Sequence, residues 1–175
     1  MRELEFEIEG VCPLKMDKWV DGKQPKTKEG YLEQAKEKAY RDDGGNLAIP
    51  AEAIKAALRF AANELVGIRK GKAVRQTIRA CLFLEPDMIS LGKKDYDLID
   101  QSIVTRGKGD KVTRVPCYRP LIKNWNGKFK IKYIEGSDLT DDFIEQSLEL
   151  AGLKYGLLSH RPDFGRFLVK NGGRK

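Results

Sequence analysis

Alternating apolar and polar residues near both ends of the chain predict β-strands. Leu4, Phe6 and Ile8 alternate with glutamates, and this period of two is typical of a strand with one buried face. The segment 129–133 repeats the pattern with lysines between its apolar residues, and the segment 165–169 predicts a last strand. One face of each of the first two strands is therefore expected to be charged.

Apolar residues at spacings of three and four predict helices between these strands. The strongest candidate begins at Pro50, which suits a first helical turn, and Gly67 marks its end. Its apolar stripe consists of Ile54, Ala57, Leu58, Ala61 and Leu65. A second helix follows Thr140, a good N-cap, and ends at Gly152, with Phe143, Ile144, Leu148 and Ala151 on its apolar face. A short helix is predicted over 31–40, after an exposed loop at 17–30.

The middle of the chain is less regular. Apolar runs at 81–84 and 88–91 flank Pro86-Asp87 and predict two strands or a hairpin. Residues 93–111 show no clean period, and glycines at 107 and 109 indicate the mobile tip of a hairpin. Because strand, helix and strand occur twice, the pattern favours an α+β fold with a split βαβ sheet of the ferredoxin-like kind.

Composition narrows the class of protein. The chain has 175 residues, 41% of them hydrophobic and 34% charged, which favours one folded domain with an ionic surface. Without a long apolar run or a secretory signal, we expect a soluble protein of the cytoplasm, or of the host cytoplasm if it is viral, with no membrane partner. Cys12, Cys81 and Cys117 are widely spaced and His160 is the single histidine, so no cofactor and no metal site are predicted.

Charge is unevenly distributed along the chain. There are 33 Lys and Arg against 26 Asp and Glu, a net charge of +7. Five cations and no acid lie in 69–79, and nine cations with one acid lie in 106–133. Clustered cations favour a polyanion, and the second cluster also contains Tyr118 and Trp125, rings on which unpaired bases could stack. A solvated sheet face explains the lysines of 128–132 equally well.

Three segments resemble a known superfamily. They are EIEGVCPLKM at the start, IPAEAIKAALRFAA at the main helix and YGLLSHRPDFGRFLV near the end. They are similar to the RAMP superfamily, which includes the backbone subunits of CRISPR effector complexes, and most of all to small stand-alone versions carried by phages. The resemblance implies an α+β, ferredoxin-like or RRM-like antiparallel sheet with helices on one face and an inserted basic β-hairpin. It further implies one domain at 1–170, an insertion at about 92–127, a polar tail at 171–175, and single-stranded nucleic acid held along its backbone.

The resemblance also implies which residues line the groove. It places there the Pro13-Leu14 turn, the helix start at 50–55, Arg59 one turn later, and the glycine-containing loop with Arg161, Gly165 and Arg166. The chain departs from the superfamily at Ala51-Glu52-Ala53, where a Gly-Ser type turn is usual, and its last loop has fewer glycines.

Three classes of function remain open from the sequence. The first, which we favour, is a non-catalytic and largely sequence-independent binder of single-stranded nucleic acid, DNA above all, in phage replication or recombination, with copies side by side along the strand. The second is an RNA-binding or RNA-processing CRISPR-type protein, cleaving with His160. The third is a virion or assembly protein. The predicted binding residues are Arg59, Arg69, Lys70, Lys72, Arg75, Arg79, Arg106, Lys108, Lys111, Arg114, Tyr118, Arg119, Trp125, Arg161 and Arg166.

Overall fold

The computed structural model describes residues 1–22 and 24–173, with the side chains of residues 68, 69, 106 and 171–173 outside that description. Its strands are β1 (Arg2–Gly10), β2 (Leu14–Lys15), β3 (Ala48–Pro50), β4 (Leu82–Glu85), β5 (Met88–Ser90), β6 (Leu98–Arg106), β7 (Thr113–Ile122), β8 (Asn126–Tyr133) and β9 (Phe167–Gly173). Its helices are α1 (Lys28–Glu37), α2 (Ala51–Val66), α3 (Ile68–Cys81) and α4 (Asp141–Leu150).

A four-stranded antiparallel sheet organises the chain. Its strand order is β4-β8-β1-β9, and β1 pairs with both β8 and β9. Along the chain the sheet is built as β1, the helices α2 and α3, β4, then β8, α4 and β9. This is the ferredoxin-like arrangement, so the predicted α+β fold class is confirmed.

The core lies between one face of this sheet and the helices. Leu4, Phe6 and Ile8 of β1 are buried, as the alternation predicts, and Phe129 stacks on Phe6 with ring centroids 5.9 Å apart. Helix α2 supplies the buried Ile54, Ala57, Leu58, Ala61 and Ala62. Small residues at this spacing allow a helix to pack closely against its neighbours. Leu65, assigned to the same stripe from sequence, is instead exposed.

The inserted hairpin forms a second sheet. Strands β6 and β7 pair along their whole length from Leu98 to Arg106, with a tight 3-10 turn at Gly109–Lys111, and β2 adds to the other edge of β7. Helix α1 packs against β7. The hairpin predicted around 107–109 is therefore present, but its first strand occupies a stretch in which the sequence shows no period.

Several element boundaries differ from the sequence prediction. The runs at 81–84 and 88–91 form strands but not a hairpin, because β4 pairs with β8 and β5 pairs with β3. The basic stretch after Gly67 is helix α3, for which no element was predicted. The last helix does not end at Gly152, because one π-helical turn, Ala151–Tyr155, continues it to Gly156.

Helix and strand starts shift by smaller amounts. Helix α1 begins at Lys28, where the Thr27 hydroxyl accepts from the Gly30 N–H, and Thr140 caps α4 in the predicted way. Strand β9 runs to Gly173, so residues 171–173, assigned to the tail, pair with β1, and residues 174–175 lie outside the described part. Among the described residues, the longest helix has 16 residues, and none combines the length and apolar character of a membrane span.

Two aromatic residues predicted to stack on bases are part of the core. Trp125 is 3% exposed, lies edge-on to Phe167, and donates from its indole N–H to the Cys12 carbonyl over 2.9 Å. Tyr118 is buried and stacks on Tyr31. Their assignment as base-stacking residues is wrong, since neither ring offers a face to solvent.

Replacing Trp125 with alanine should therefore destabilise the fold rather than weaken binding directly. We expect Trp125→Ala to lower the free energy of unfolding by about 3–5 kcal/mol, because it leaves a large cavity and an unpaired carbonyl. Urea denaturation measures this. Trp19, which is 83% exposed, is the control, and Trp19→Ala should change stability by no more than about 0.5 kcal/mol. Equal stability of the two variants would contradict the burial of Trp125.

Candidate nucleic-acid interface

Helix α3 presents a row of cations to solvent. Its buried side consists of Gly71, Val74 and Ile78 at helical spacing, so the long polar side chains occupy the opposite side. The exposed cations are Lys70, Lys72, Arg75 and Arg79. The helix contains no acidic residue, and among the described side chains these four have no acidic partner within ion-pair distance. The side chain of Arg69 lies outside the described part.

Helix α2 lies alongside and adds two cations. Gly67 reverses the chain between the helices with φ +73°, a conformation that favours glycine. Gly71 then lies so close to Asn63 that a Cβ there would meet the Asn63 amide at 1.9 Å. At the other end, Lys55 Nζ donates to the Arg79 carbonyl. We name this surface the helical cationic face, formed by Lys55, Arg59, Lys70, Lys72, Arg75 and Arg79.

The outer face of the four-stranded sheet is charged but internally paired. The register places Glu3, Glu5 and Glu7 of β1 opposite the lysines of β8. We name it the paired sheet face; its glutamates are Glu3, Glu5, Glu7, Glu9 and Glu85, and its lysines are Lys128, Lys130, Lys132 and Lys170. Five acids against four lysines leave it with one net negative charge. Lys128, Lys130 and Lys132 thus belong to a solvated sheet face, the alternative given above, and not to a cationic groove.

Proton affinities on this face follow from the pairing. Hydrogen bonds from Lys130 lower the pKa of Glu3, and hydrogen bonds to Glu3 and Glu5 raise the pKa of Lys130. The contact with Glu85 raises the pKa of Lys132 in the same way. Glu3 and Lys130 therefore each favour the ionised form of the other.

A junction cluster of charged side chains joins the hairpin to the last loop. Lys15 of β2 is 3% exposed and contacts Asp100 of β6 at 2.7 Å, while Arg119 of β7, 7% exposed, contacts Asp17 at 2.7 Å. Arg119 also donates to the Ser102 hydroxyl. Its prediction as a phosphate-binding residue is wrong, because the guanidinium is buried and already holds a carboxylate.

His160 completes the junction cluster. Its Nδ1 lies 3.3 Å from Lys15 Nζ, and its Nε2 lies 3.1 Å from an Arg119 Nη. A neutral imidazole accepts at one nitrogen only, so only one of these two contacts is a hydrogen bond to the ring, and protonation would add a third positive charge beside Lys15 and Arg119. Partial burial of the ring, then Arg119 and Lys15, lower the pKa of His160, against smaller opposing effects of Asp100 and Asp17.

Loop 156–165 lies between strand β2 and helix α2. On one side, the Ser159 N–H donates to the Lys15 carbonyl and the Gly165 N–H donates to the Pro13 carbonyl, which brings the loop beside the Pro13-Leu14 turn. On the other side, Arg161 lies beside Phe60 of α2. The Pro13-Leu14 turn and loop 156–165, which the resemblance places in one groove, are therefore neighbours. Arg161 and Arg166 of this region are both exposed.

The remaining predicted cations lie on the hairpin. Lys108, Lys111 and Arg114 are exposed near its turn, and the side chain of Arg106 lies outside the described part. The hairpin packs against α1 and pairs with β2, whereas α3 packs against α2 and β4. The predicted cations therefore form two patches, one on the helices α2 and α3 and one near the turn of the hairpin.

The structure contains an aromatic cleft next to loop 156–165 that the sequence did not predict. Its lining is formed by Phe60, Lys154, Tyr155, Arg161 and Pro162, around a volume of about 390 Å³. Phe60 falls outside the apolar stripe of α2, two residues after Leu58, and a large aromatic residue off the buried stripe is the signal that could have found it. Within the described residues, no group of three or more metal-binding side chains occurs.

Comparison with known proteins supports the fold. No protein-family model matches the chain, and no curated protein sequence is similar to it. Among solved structures, it is similar to a chain in the cryo-EM structure of the type III-B Cmr-beta complex bound to cognate target RNA, with a TM-score of 0.61 and 15% identity. The match covers 98% of this chain and 60% of that one. The predicted likeness to CRISPR subunits agrees with this neighbour in fold, and the likeness to phage versions finds no support in it.

The junction cluster makes the acid-base behaviour of His160 testable. As the only histidine, its ring can be followed by NMR, and we expect a titration midpoint below 6.5. Arg119→Gln should raise the midpoint, since it removes a neighbouring positive charge, whereas Asp100→Asn should lower it further. Because the pKa is lower folded than unfolded, this group's contribution to stability is present above pH 6.5 and decreases as pH falls below it. A midpoint above 6.5 would contradict the arrangement.

Proposed function

We propose that this protein binds single-stranded nucleic acid across the helical cationic face and loop 156–165, without cleaving it. One observation carries the proposal. The cations of α2 and α3 have no acidic partner among the described side chains, whereas the lysines of the sheet are paired with glutamates. Unpaired cations neutralise phosphates and release counterions, and paired ones contribute little.

A single strand suits this surface better than a duplex. The helical cationic face continues through Arg59 to Phe60 and the aromatic cleft, so cations and an exposed ring lie side by side. Proteins that bind single strands combine a cationic path for the backbone with aromatic rings for the bases. The hairpin cations Lys108, Lys111 and Arg114 form the second patch, which would hold the same strand beyond loop 156–165.

RNA is the strand that we propose. The similar chain belongs to a complex bound to target RNA, and the shared ferredoxin-like fold supports the same class of ligand here. The sequence-based preference for DNA in phage replication or recombination stays a prediction. Matched RNA and DNA strands in one titration separate the two, since only RNA carries the 2′-hydroxyl. The stoichiometry on longer strands tests whether copies bind side by side.

Substitutions of equal charge on the two faces test the interface. The triple variant Lys72→Gln, Arg75→Gln and Arg79→Gln should weaken binding and reduce the salt slope, d(log K)/d(log salt), by up to about 2, since each contacted phosphate contributes about 0.7. Fluorescence anisotropy of a labelled strand at several salt concentrations measures this. Lys128→Gln, Lys130→Gln and Lys132→Gln remove the same charge from the paired sheet face and should leave the slope nearly unchanged. An equal loss in both variants would exclude the helical cationic face as the interface.

We also propose that His160 has a positioning role and not a catalytic one. Its ring nitrogens lie beside Lys15 and Arg119, so the ring, although the residue is exposed, links loop 156–165 to the hairpin. RNA incubated with the protein should remain intact, and gel analysis should show no difference between wild type and His160→Ala. Cleavage by wild type that disappears in His160→Ala would establish a ribonuclease instead.

A further inference from the structure

The aromatic cleft is an open, largely apolar cleft at the edge of the helical cationic face. The rings of Phe60 and Tyr155 are stacked, with centroids 5.9 Å apart and planes inclined by 22°. Phe60 is 47% exposed, and Pro162 of loop 156–165 adds a third apolar wall. Phe60 is the open ring of this pair, since Tyr155 packs against the core and has Lys154 Nζ 5.9 Å from its ring centroid.

Glu64 holds this pair of rings in place. It lies one turn after Phe60 on α2, accepts a hydrogen bond from the Tyr155 hydroxyl over 2.7 Å, and pairs with Lys154 at 2.5 Å. The hydrogen bond to Glu64, together with burial, raises the pKa of Tyr155 to about 12. Hydrogen bonds from Lys154 and then Tyr155 lower the pKa of Glu64. The Tyr155 ring is thus fixed before any ligand arrives, which reduces the entropy lost on binding.

The charges at the rim are not equivalent. Lys154 is already paired with Glu64, whereas Arg161 is exposed and has no acidic partner among the described side chains. Arg161 is therefore the cation that remains to contact a phosphate beside the cleft. A planar group that stacks, attached to a phosphate, is the chemistry of a nucleotide.

A second cleft with an exposed aromatic residue has an acid bound directly to its ring. Trp19 donates from its indole N–H to Asp21, and its cleft also contains Glu37. The Asp21 carboxylate on the ring opposes a phosphate beside a stacked base. Three cations line this cleft, but Lys36 is paired with Glu33 and Arg41 donates to the Gly45 and Lys94 carbonyls, which leaves Lys18. Trp19 is accordingly a control for exposed aromatic surface rather than a second candidate.

We propose that the aromatic cleft binds one unpaired nucleobase of the strand, stacked on the Phe60–Tyr155 pair, with Arg161 on the adjacent phosphate. This proposal rests on the proposed function and specifies how that surface recognises its ligand. The protein would then bind unpaired bases as well as phosphates. The base belongs to the strand that crosses the helical cationic face.

Strands with and without bases test the proposal. Labelled oligouridylate and an abasic ribose-phosphate strand of the same length are titrated by fluorescence anisotropy at one salt concentration. Wild type should bind the base-containing strand more tightly by about 5- to 150-fold, the range for one stacked base. Phe60→Leu should abolish most of this ratio and leave the affinity for the abasic strand unchanged, since Leu keeps the volume but not the π face. Phe60→Tyr should retain the ratio.

Control variants separate the possible outcomes. Trp19→Leu should leave the ratio unchanged, and circular dichroism confirms that each variant is folded. If wild type prefers bases but Phe60→Leu keeps that preference, the cleft is not the base site, while the proposed function stands. If wild type binds neither strand, the proposed function fails. Competition by uridine monophosphate alone at an affinity matching the strand would show that free nucleotides are the ligand and would overturn the strand-bound base.

Discussion

The antiparallel pairing of β1 with β8 is the interaction on which the charge distribution of this protein depends. It places Glu3, Glu5 and Glu7 opposite lysines of β8, and the resulting ion pairs neutralise the outer face of the sheet. On a surface that is exposed to solvent, such pairs add little to stability. Their consequence is electrostatic, since the glutamates cancel the positive charge that would attract a phosphate to this face.

With the sheet face neutralised, the excess positive charge of the protein lies elsewhere. Helix α3 presents four described cations without an acid, and the hairpin presents a second group at its turn. Loop 156–165 lies between these regions and is held on the hairpin side by the junction cluster, where two buried ion pairs surround His160. Removing Lys15 would take from Asp100 its ion-pair partner, which is costly in a partly buried site, whereas Asp17 would keep Lys38 if Arg119 were removed. The loop is therefore fixed at the position where it also borders the aromatic cleft.

The residues that we propose to contact the strand differ from those that maintain the fold. Trp125, Tyr118 and Arg119 are buried and maintain the fold, although each belongs to a residue type that often binds nucleic acid. Phe60 and Arg161 contribute less to the core and face the cleft. Exposure rather than residue type separates the two groups.

Periodicity in the sequence was sufficient to predict much of the fold. The alternation of Leu4, Phe6 and Ile8, the helix after Pro50 and the Thr140 cap depend on local spacing and local hydrogen bonds, and the structure contains all three. Helix α3 was missed because five cations are interspersed among its apolar residues, and packing of Gly71, Val74 and Ile78 on neighbouring elements stabilises it.

The sequence by itself determined the strands of the four-stranded sheet, the helices α2 and α4, the ferredoxin-like class and the amount of clustered positive charge. Only the tertiary structure decided which charges are free, because pairing a lysine of 128–132 with a glutamate of 3–7 requires the register between strands more than 120 residues apart. Only the tertiary structure likewise decided that Phe60 is exposed beside Tyr155 and that Tyr118 and Trp125 are buried. Whether an aromatic side chain is buried or open depends on the elements that pack around it, and local sequence does not contain that information.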